Sequence, residues 1–185
     1  SMVIDIGGGT TEIAVMSLGG VVYSNSLRVA GDAMDNALAN YMRKEYNLMI
    51  GDSTAEKIKK EIGTAIATNN NTYAVKGRDL RSGTPKEVNI TEEDTVEALN
   101  PILREMINGI KDALENTPPE LSADLVDMGL TLTGGGALLK NVDKRLSKET
   151  GLPVYIADDP LACVAVGTGK ACLLYTSDAA DDLLC

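Results

Sequence analysis

Two runs of three glycines, Gly7-Gly8-Gly9 and Gly134-Gly135-Gly136, each follow directly on a short apolar stretch, Met2-Val3-Ile4-Asp5-Ile6 and Leu130-Thr131-Leu132-Thr133. Glycine lets a backbone take positive φ and come close to a ligand with no Cβ in the way, so successive amide N–H groups can point at phosphate oxygens. Two such loops at strand ends imply a phosphate-bearing ligand held between them. Taken singly, each triplet reads sooner as a tight turn; it is the pair in matching contexts that favours a ligand. Neither run is G-x-G-x-x-G, and no G-x-x-x-x-G-K-[ST] occurs, which disfavours the dinucleotide-fold and P-loop mechanisms. A dehydrogenase-like fold also fails on the strand that follows the first loop.

Around these loops the apolar pattern changes period. Residues 12–17 and 21–29 are rich in Val, Ile and Leu about Gly19-Gly20, which with 2–6 predicts a three-stranded meander. From Gly31, Met34, Leu38 and Tyr41/Met42 fall at helical spacing. A second helix is expected through Ala55, Ile58, Ile62 and Ile66, capped by Ser53 or Thr54. Segments near 72–78 and 86–90 read as a peripheral hairpin. Thr91-Glu92-Glu93-Asp94 reads as a capping cluster, and Val96, Leu99, Leu103, Met106, Ile110 and Leu114 then predict a long helix with a break near Pro101. Pro118-Pro119 ends it. A short helix near 120–127 leads to strand 130–133, then a helix carrying Leu138, Leu139, Val142 and Leu146, a strand at 153–157 and a last helix from about Asp159-Pro160. The order predicts one α/β layer interrupted by a smaller α+β unit.

Composition narrows the chemistry. The 185 residues carry 17 Lys plus Arg against 27 Asp plus Glu, a net charge of -10, with no basic stripe, so nucleic acid is a poor partner. Apolar runs fall short of the ~20 residues of a membrane-spanning helix, and a cytoplasmic protein is expected. Histidine is absent and the three cysteines form no C-x-x-C pair, which argues against a zinc site, a disulfide framework and any Ser-His or Cys-His pair. Chemistry must run on carboxylates, hydroxyls, lysines, amides or a bound cation. Asp5, just before the first loop, is placed to hold Mg²⁺ directly or through water, and Thr10 and Thr11 add hydroxyls. The bland readings are a turn-capping aspartate and ordinary strand threonines. Glu56 and Lys59, three apart on one helix face, read in isolation as a solvated ion pair.

The chain opens directly on a strand, so a natural start upstream is expected. Cys172 to Asp182 reads CLLYTSDAADD, similar to a translated sequencing adapter, and 172–185 is expected to be a non-native tail.

DIGGGTTEIAV, AEKIK and LTGGGALL, in this order, resemble the superfamily of actins, DnaK-type chaperones and sugar kinases. RVAGDAMDNALANYMRKEYNLMIG, GRDLRSGTPKEV, NTPPELSADLVDMG and DPLACVAVGTGKA bring the resemblance closer, to the MreB/Mbl family of bacterial cell-shape actins, over about Met2 to Ala171. The resemblance implies an actin-like ATPase second lobe: an RNase H-like subdomain at 1–30 plus 99–171, with an inserted α+β subdomain at 31–98. It implies ATP and Mg²⁺ as cofactors. Asp5 would lie near the metal, and Gly7, Gly8 and Gly9 would give amides to the β- and γ-phosphates, with Thr11 beside them. Thr10 would sit near the attacking water. Gly134, Gly135 and Gly136 would lie beside the α-phosphate and sugar, Glu56 would bond the ribose, and Lys59 would lie along the adenine. It further implies self-assembly into filaments under the inner membrane, with the cell-wall synthesis machinery as partner. The membrane-inserting segment and main catalytic carboxylate would belong to the other lobe, so that the full-length parent hydrolyses ATP and this stretch alone does not. The alternatives are the ATPase lobe of a DnaK-type chaperone or related kinase, and a non-enzymatic adaptor whose glycine loops only turn the chain.

Overall fold

Parallel pairing of two strands far apart in sequence brings the glycine runs together. The structure, a computed structural model, describes residues 1–181. Strands β1 (Met2–Ile6), β2 (Thr11–Ser17) and β3 (Gly20–Leu27) form the expected antiparallel meander. On the other side of β1, β7 (Leu130–Thr133) and β8 (Val154–Ile156) add in parallel, giving the order β3-β2-β1-β7-β8. Asp5 is level with Thr133. Because β1 and β7 run the same way, both loops leave the same edge of the sheet, where ligands of open α/β sheets collect.

The connection from β3 to β7 holds the rest of the body. Helix α1 (Gly31–Tyr46) and helix α2 (Asp52–Glu61) pack together, and a second sheet of order β4-β5-β6 forms from Leu48–Met49, Thr72–Asp79 and Pro85–Thr91. Helix α3 (Glu92–Glu115) then returns across β2 and β3, and α4 (Pro119–Met128) leads to β7. Alternation makes the core: Met2, Ile4 and Ile6 of β1 are buried, while Val3 and Asp5 between them are not fully so. Leu99, Leu103, Met106 and Ile110 of α3 supply a buried stripe at helical spacing.

Several local expectations are corrected. Helix α3 begins as expected, with a capping box between Thr91 and Asp94, but it runs unbroken through Pro101. Pro101 is exposed, and the turns on either side are pinned by buried Leu99 and Leu103, so one missing N–H does not break the helix. Helix α2 is capped by the backbone of Gly51, which leaves Ser53 and Thr54 inside the helix, and it stops at Glu61, short of Ile66. Leu138 and Leu139 precede α5 (Val142–Thr150). A short 3-10 turn, Gly135–Leu138, follows the second glycine loop instead, and Asn141 takes a left-handed φ of 58° before the helix starts. Helix α6 covers Cys163–Asp181, starting after Pro160. Of the expected tail, 172–181 continue α6 and 182–185 lie outside the described residues. No helix among the described residues is long and apolar enough to cross a membrane.

Candidate functional site

A cleft of about 920 Å³ opens at the shared sheet edge, bounded by Gly7 and Gly8 of the first loop, Gly135 and Gly136 of the second, Lys59 of α2 and Leu161. That volume is in the range of a small-molecule site. Glu56, Lys60, Asp35 and Lys140, with Asp32, Asp52 and Ser53, supply the polar part of the wall.

The first loop is closed on itself and tied to α1. Gly7 N–H donates to Thr10 O at 3.0 Å, while the carbonyls of Gly7 and Gly8 accept from Gly31 N at 3.1 Å and Asp32 N at 2.8 Å. Two of the amides left over at the start of a helix are thereby satisfied by the loop. Gly7's own amide is used in the turn. Among the described residues, the amides of Gly8 and Gly9 have no hydrogen-bond partner and remain open to a ligand.

The second loop owes Gly134 and Gly136 to packing. Gly134 has φ +81°, and a Cβ there would collide with the Asp5 carboxylate and the Ile6 carbonyl. A Cβ on Gly136 would collide with the Ile6 side chain. Only glycine lets this loop lie against the end of β1. Gly134 N donates to Pro160 O at 2.9 Å, and the amides of Gly135 and Gly136, at the start of the 3-10 turn, have no partner among the described residues.

The remaining sequence-predicted residues divide. Lys59 lines the cleft with its ammonium held by Gly31 O at 3.1 Å and Asp35 Oδ2 at 2.8 Å. Glu56 also lines it, but as an exposed carboxylate 2.6 Å from Lys60, whose hydrogen bond and charge hold the Glu56 pKa down. Thr10 is exposed at the loop tip. Thr11 is not brought to the cleft: it is fully buried and its hydroxyl donates to Val29 O at 2.6 Å. Asp5 stands behind the loops against Gly134 rather than in the cleft wall. Burial first, and then the charge of Glu12 across the strand pair, raise the Asp5 pKa. Among the described residues Asp5 has no hydrogen bond or ion pair, so its charge is uncompensated in the way a divalent cation corrects. No cluster of three acidic or thiol ligands exists among the described residues. Asp5 is thus the one sequence-predicted metal ligand, and among the described residues it belongs to no carboxylate cluster that could share a cation.

Sequence reasoning missed Asp32, Asp35, Lys60 and Leu161. Asp32 follows Gly31, and its carboxylate lies 3.6 Å from where a Gly8 Cβ would be. No local pattern marks it, because its meaning comes from the loop 24 positions earlier.

Comparisons with known proteins bear on the family and the fold. The family model described as MreB/Mbl protein matches residues 1–178. The chain is 51% identical over 172 residues to the cell shape-determining protein MreB of Escherichia coli, covering 92% of this chain and 50% of that protein. It is 45% identical over 170 residues to the cell shape-determining protein Mbl of Bacillus subtilis, covering 91% and 51%. The crystal structure of MreB 5 of Spiroplasma citri bound to AMPPNP superposes with a TM-score of 0.94 at 40% identity, over 98% of this chain and 55% of that one. The chain thus has the actin-like fold and spans about half the length of the curated relatives it matches. The DnaK-type chaperone alternative is not favoured.

Proposed function

The chain belongs to the MreB/Mbl family of actin-like proteins, and from that premise we propose that it forms one side of the Mg-ATP site of a cell-shape-determining filament protein. One observation carries this reading. Two glycine loops leave parallel strands at one sheet edge with open amides on a cleft that also holds Lys59 and Glu56. A relative with the same fold has been solved with AMPPNP bound.

In this reading the amides of Gly8 and Gly9 take the β- and γ-phosphate oxygens, and Gly7 acts by closing the turn that aims them. Gly135 and Gly136 face the α-phosphate and sugar, and Gly134 lets their loop reach β1. Glu56, at the cleft rim, accepts from the ribose, and Lys59 borders the base. Asp5 is the carboxylate that would hold Mg²⁺, directly or through water, and the cation would there neutralise phosphate charge. Thr10, exposed past the loop, orients water. Thr11 contributes by anchoring β2 to Val29 rather than by touching the ligand. The units are 1–30 plus 99–171 and 31–98, each built on one of the two sheets. Residue 98 falls inside α3, so that helix is the shared spine.

We further propose that the whole protein hydrolyses ATP as it self-assembles into filaments at the cytoplasmic face of the inner membrane, guiding cell-wall synthesis. A catalytic carboxylate from the other half would be needed, because a cleft with one wall neither surrounds the phosphates nor excludes water. The test joins this chain to the remaining half of the Escherichia coli relative and follows Mg-dependent ATP binding and light scattering. ATP-driven scattering that falls with Glu56→Ala or Thr10→Ala supports the reading. A folded chimera that neither binds ATP nor scatters overturns it.

A further inference from the structure

Lys59 and Asp35 form an ion pair unlike the exposed Glu56–Lys60 pair one turn away. The Nζ–Oδ2 distance is 2.8 Å, and the side chains are only 19% and 18% exposed. The second carboxylate oxygen, Asp35 Oδ1, is buried with no hydrogen-bond partner. An unsatisfied buried oxygen is costly, and its presence in a cleft wall calls for a reason. The pair also belongs to a chain of links. Lys59 Nζ donates to Gly31 O, and Gly31 N–H donates to Gly7 O of the first glycine loop. A Cβ on Gly31 would lie 3.3 Å from Gly7 O and 3.5 Å from Lys59 Nζ, so the ammonium is packed against the join between loop and helix.

An ammonium held in this way is withdrawn from the ligand. What Lys59 then offers the cleft is its methylene stem, an apolar edge like the buried stems of other long cationic side chains. We infer that Asp35 is a positioning residue for the nucleoside: it keeps the Lys59 ammonium on the Gly31 carbonyl so that the stem, not the charge, forms the wall on the base side. This rests on the nucleotide reading above. It assigns to Asp35 a role on the base rather than on the phosphates, and that distinction can be measured.

The experiment titrates the 185-residue chain with adenosine and with Mg-ATP, for wild type, Asp35→Asn, and Asp35→Asn combined with Lys59→Met. Acylation of Lys59 by acetic anhydride is read in parallel by mass spectrometry on wild type and Asp35→Asn. In Asp35→Asn, both ligands are expected to weaken by the same factor, roughly tenfold, and Lys59 to acylate several times faster. The double variant keeps an apolar stem with no charge to restrain and leaves no unpaired buried charge, and its fold is checked by circular dichroism. Its affinities are expected to return to within about threefold of wild type. The inference is overturned if Asp35→Asn binds both ligands like wild type, if only ATP weakens, or if the double variant stays as weak as Asp35→Asn alone. A wild-type chain that binds neither ligand sinks the nucleotide reading and the ligand half of this inference with it. The acylation rate then still decides whether Asp35 positions Lys59, and an unchanged rate says that it does not.

Discussion

Gly134 and Gly9 make opposite demands although both lie in glycine triplets. Gly134 sits at φ +81° with the Asp5 carboxylate and the Ile6 carbonyl where a methyl would go, whereas nothing lies within 4 Å of a Cβ on Gly9. Gly134→Ala combines left-handed strain with overpacking and is expected to cost about 2–5 kcal/mol in urea unfolding. Gly9→Ala should stay within about 0.5 kcal/mol of wild type in the same assay. Glu92 is a second sensitive residue. It is 3% exposed, and its carboxylate accepts from Thr68 N, Asn69 N and Asn71 Nδ2. Those bonds, the Thr68 amide foremost, hold its pKa below the ordinary carboxylate value. Folded Glu92 therefore takes up a proton less readily than unfolded Glu92. Its contribution is complete above the usual carboxylate range and disappears as pH falls through its folded value. Denaturant midpoints of wild type should drop across that acidic window, and Glu92→Gln should be weaker at neutral pH and show a smaller drop.

Among the elements, α3 and the strap at 64–66 carry most of the organisation. Pro101 removes one N–H from the interior of α3 and does no visible work on its exposed face. Pro101→Ala should raise stability by about 1 kcal/mol in thermal melts, the helix gain being partly offset by a freer unfolded chain. The strap joins the segment after α2 to the exit of the second glycine loop. Ala65 N donates to Lys140 O at 2.8 Å, and Asn141 Nδ2 donates to Thr64 Oγ1 at 3.1 Å and to Ile66 O at 3.2 Å. Asn141→Ala loses these bonds at a left-handed position and should cost about 1–3 kcal/mol, while Asn141→Gly, which tolerates φ 58°, should cost less. The meander, α1, the hairpin and the α3 cap were legible because each is announced by a short-range signal: period two, period 3.6, or Thr91 three residues before Asp94. Pro101 was misread because tertiary packing on Leu99 and Leu103 outweighs a local breaker. The end of α2 was misread because Ile66 keeps helical spacing while its carbonyl is taken by Asn141, far along the chain. Within the site, the glycine loops were readable as loops at strand ends, but the expected Glu56–Lys59 ion pair was not: Glu56 pairs with Lys60 and Lys59 with Asp35, a partner on another helix that no local spacing announces.

At the scale of the whole molecule, the sheet edge at β8 and its neighbours are largely uncovered. Tyr155, Ile156, Leu161, Val164 and Val166 are all exposed in this one region of the chain. Exposed apolar side chains of this kind favour association, so the isolated chain is expected to elute earlier from size-exclusion chromatography as its concentration rises, and ligand titrations belong at the dilute end. A monodisperse monomer at all concentrations would count against that. The same region reaches the cleft through Leu161. The central claim is that both glycine loops bind one nucleotide through their open amides. Backbone amide NMR of the chain during a Mg-ATP titration tests it most directly. Weak but saturable shifts are expected at Gly8, Gly9, Gly135 and Gly136, sharing a single dissociation constant and absent with magnesium alone. Shifts confined to one loop, or none at millimolar ATP in a folded chain, would contradict it.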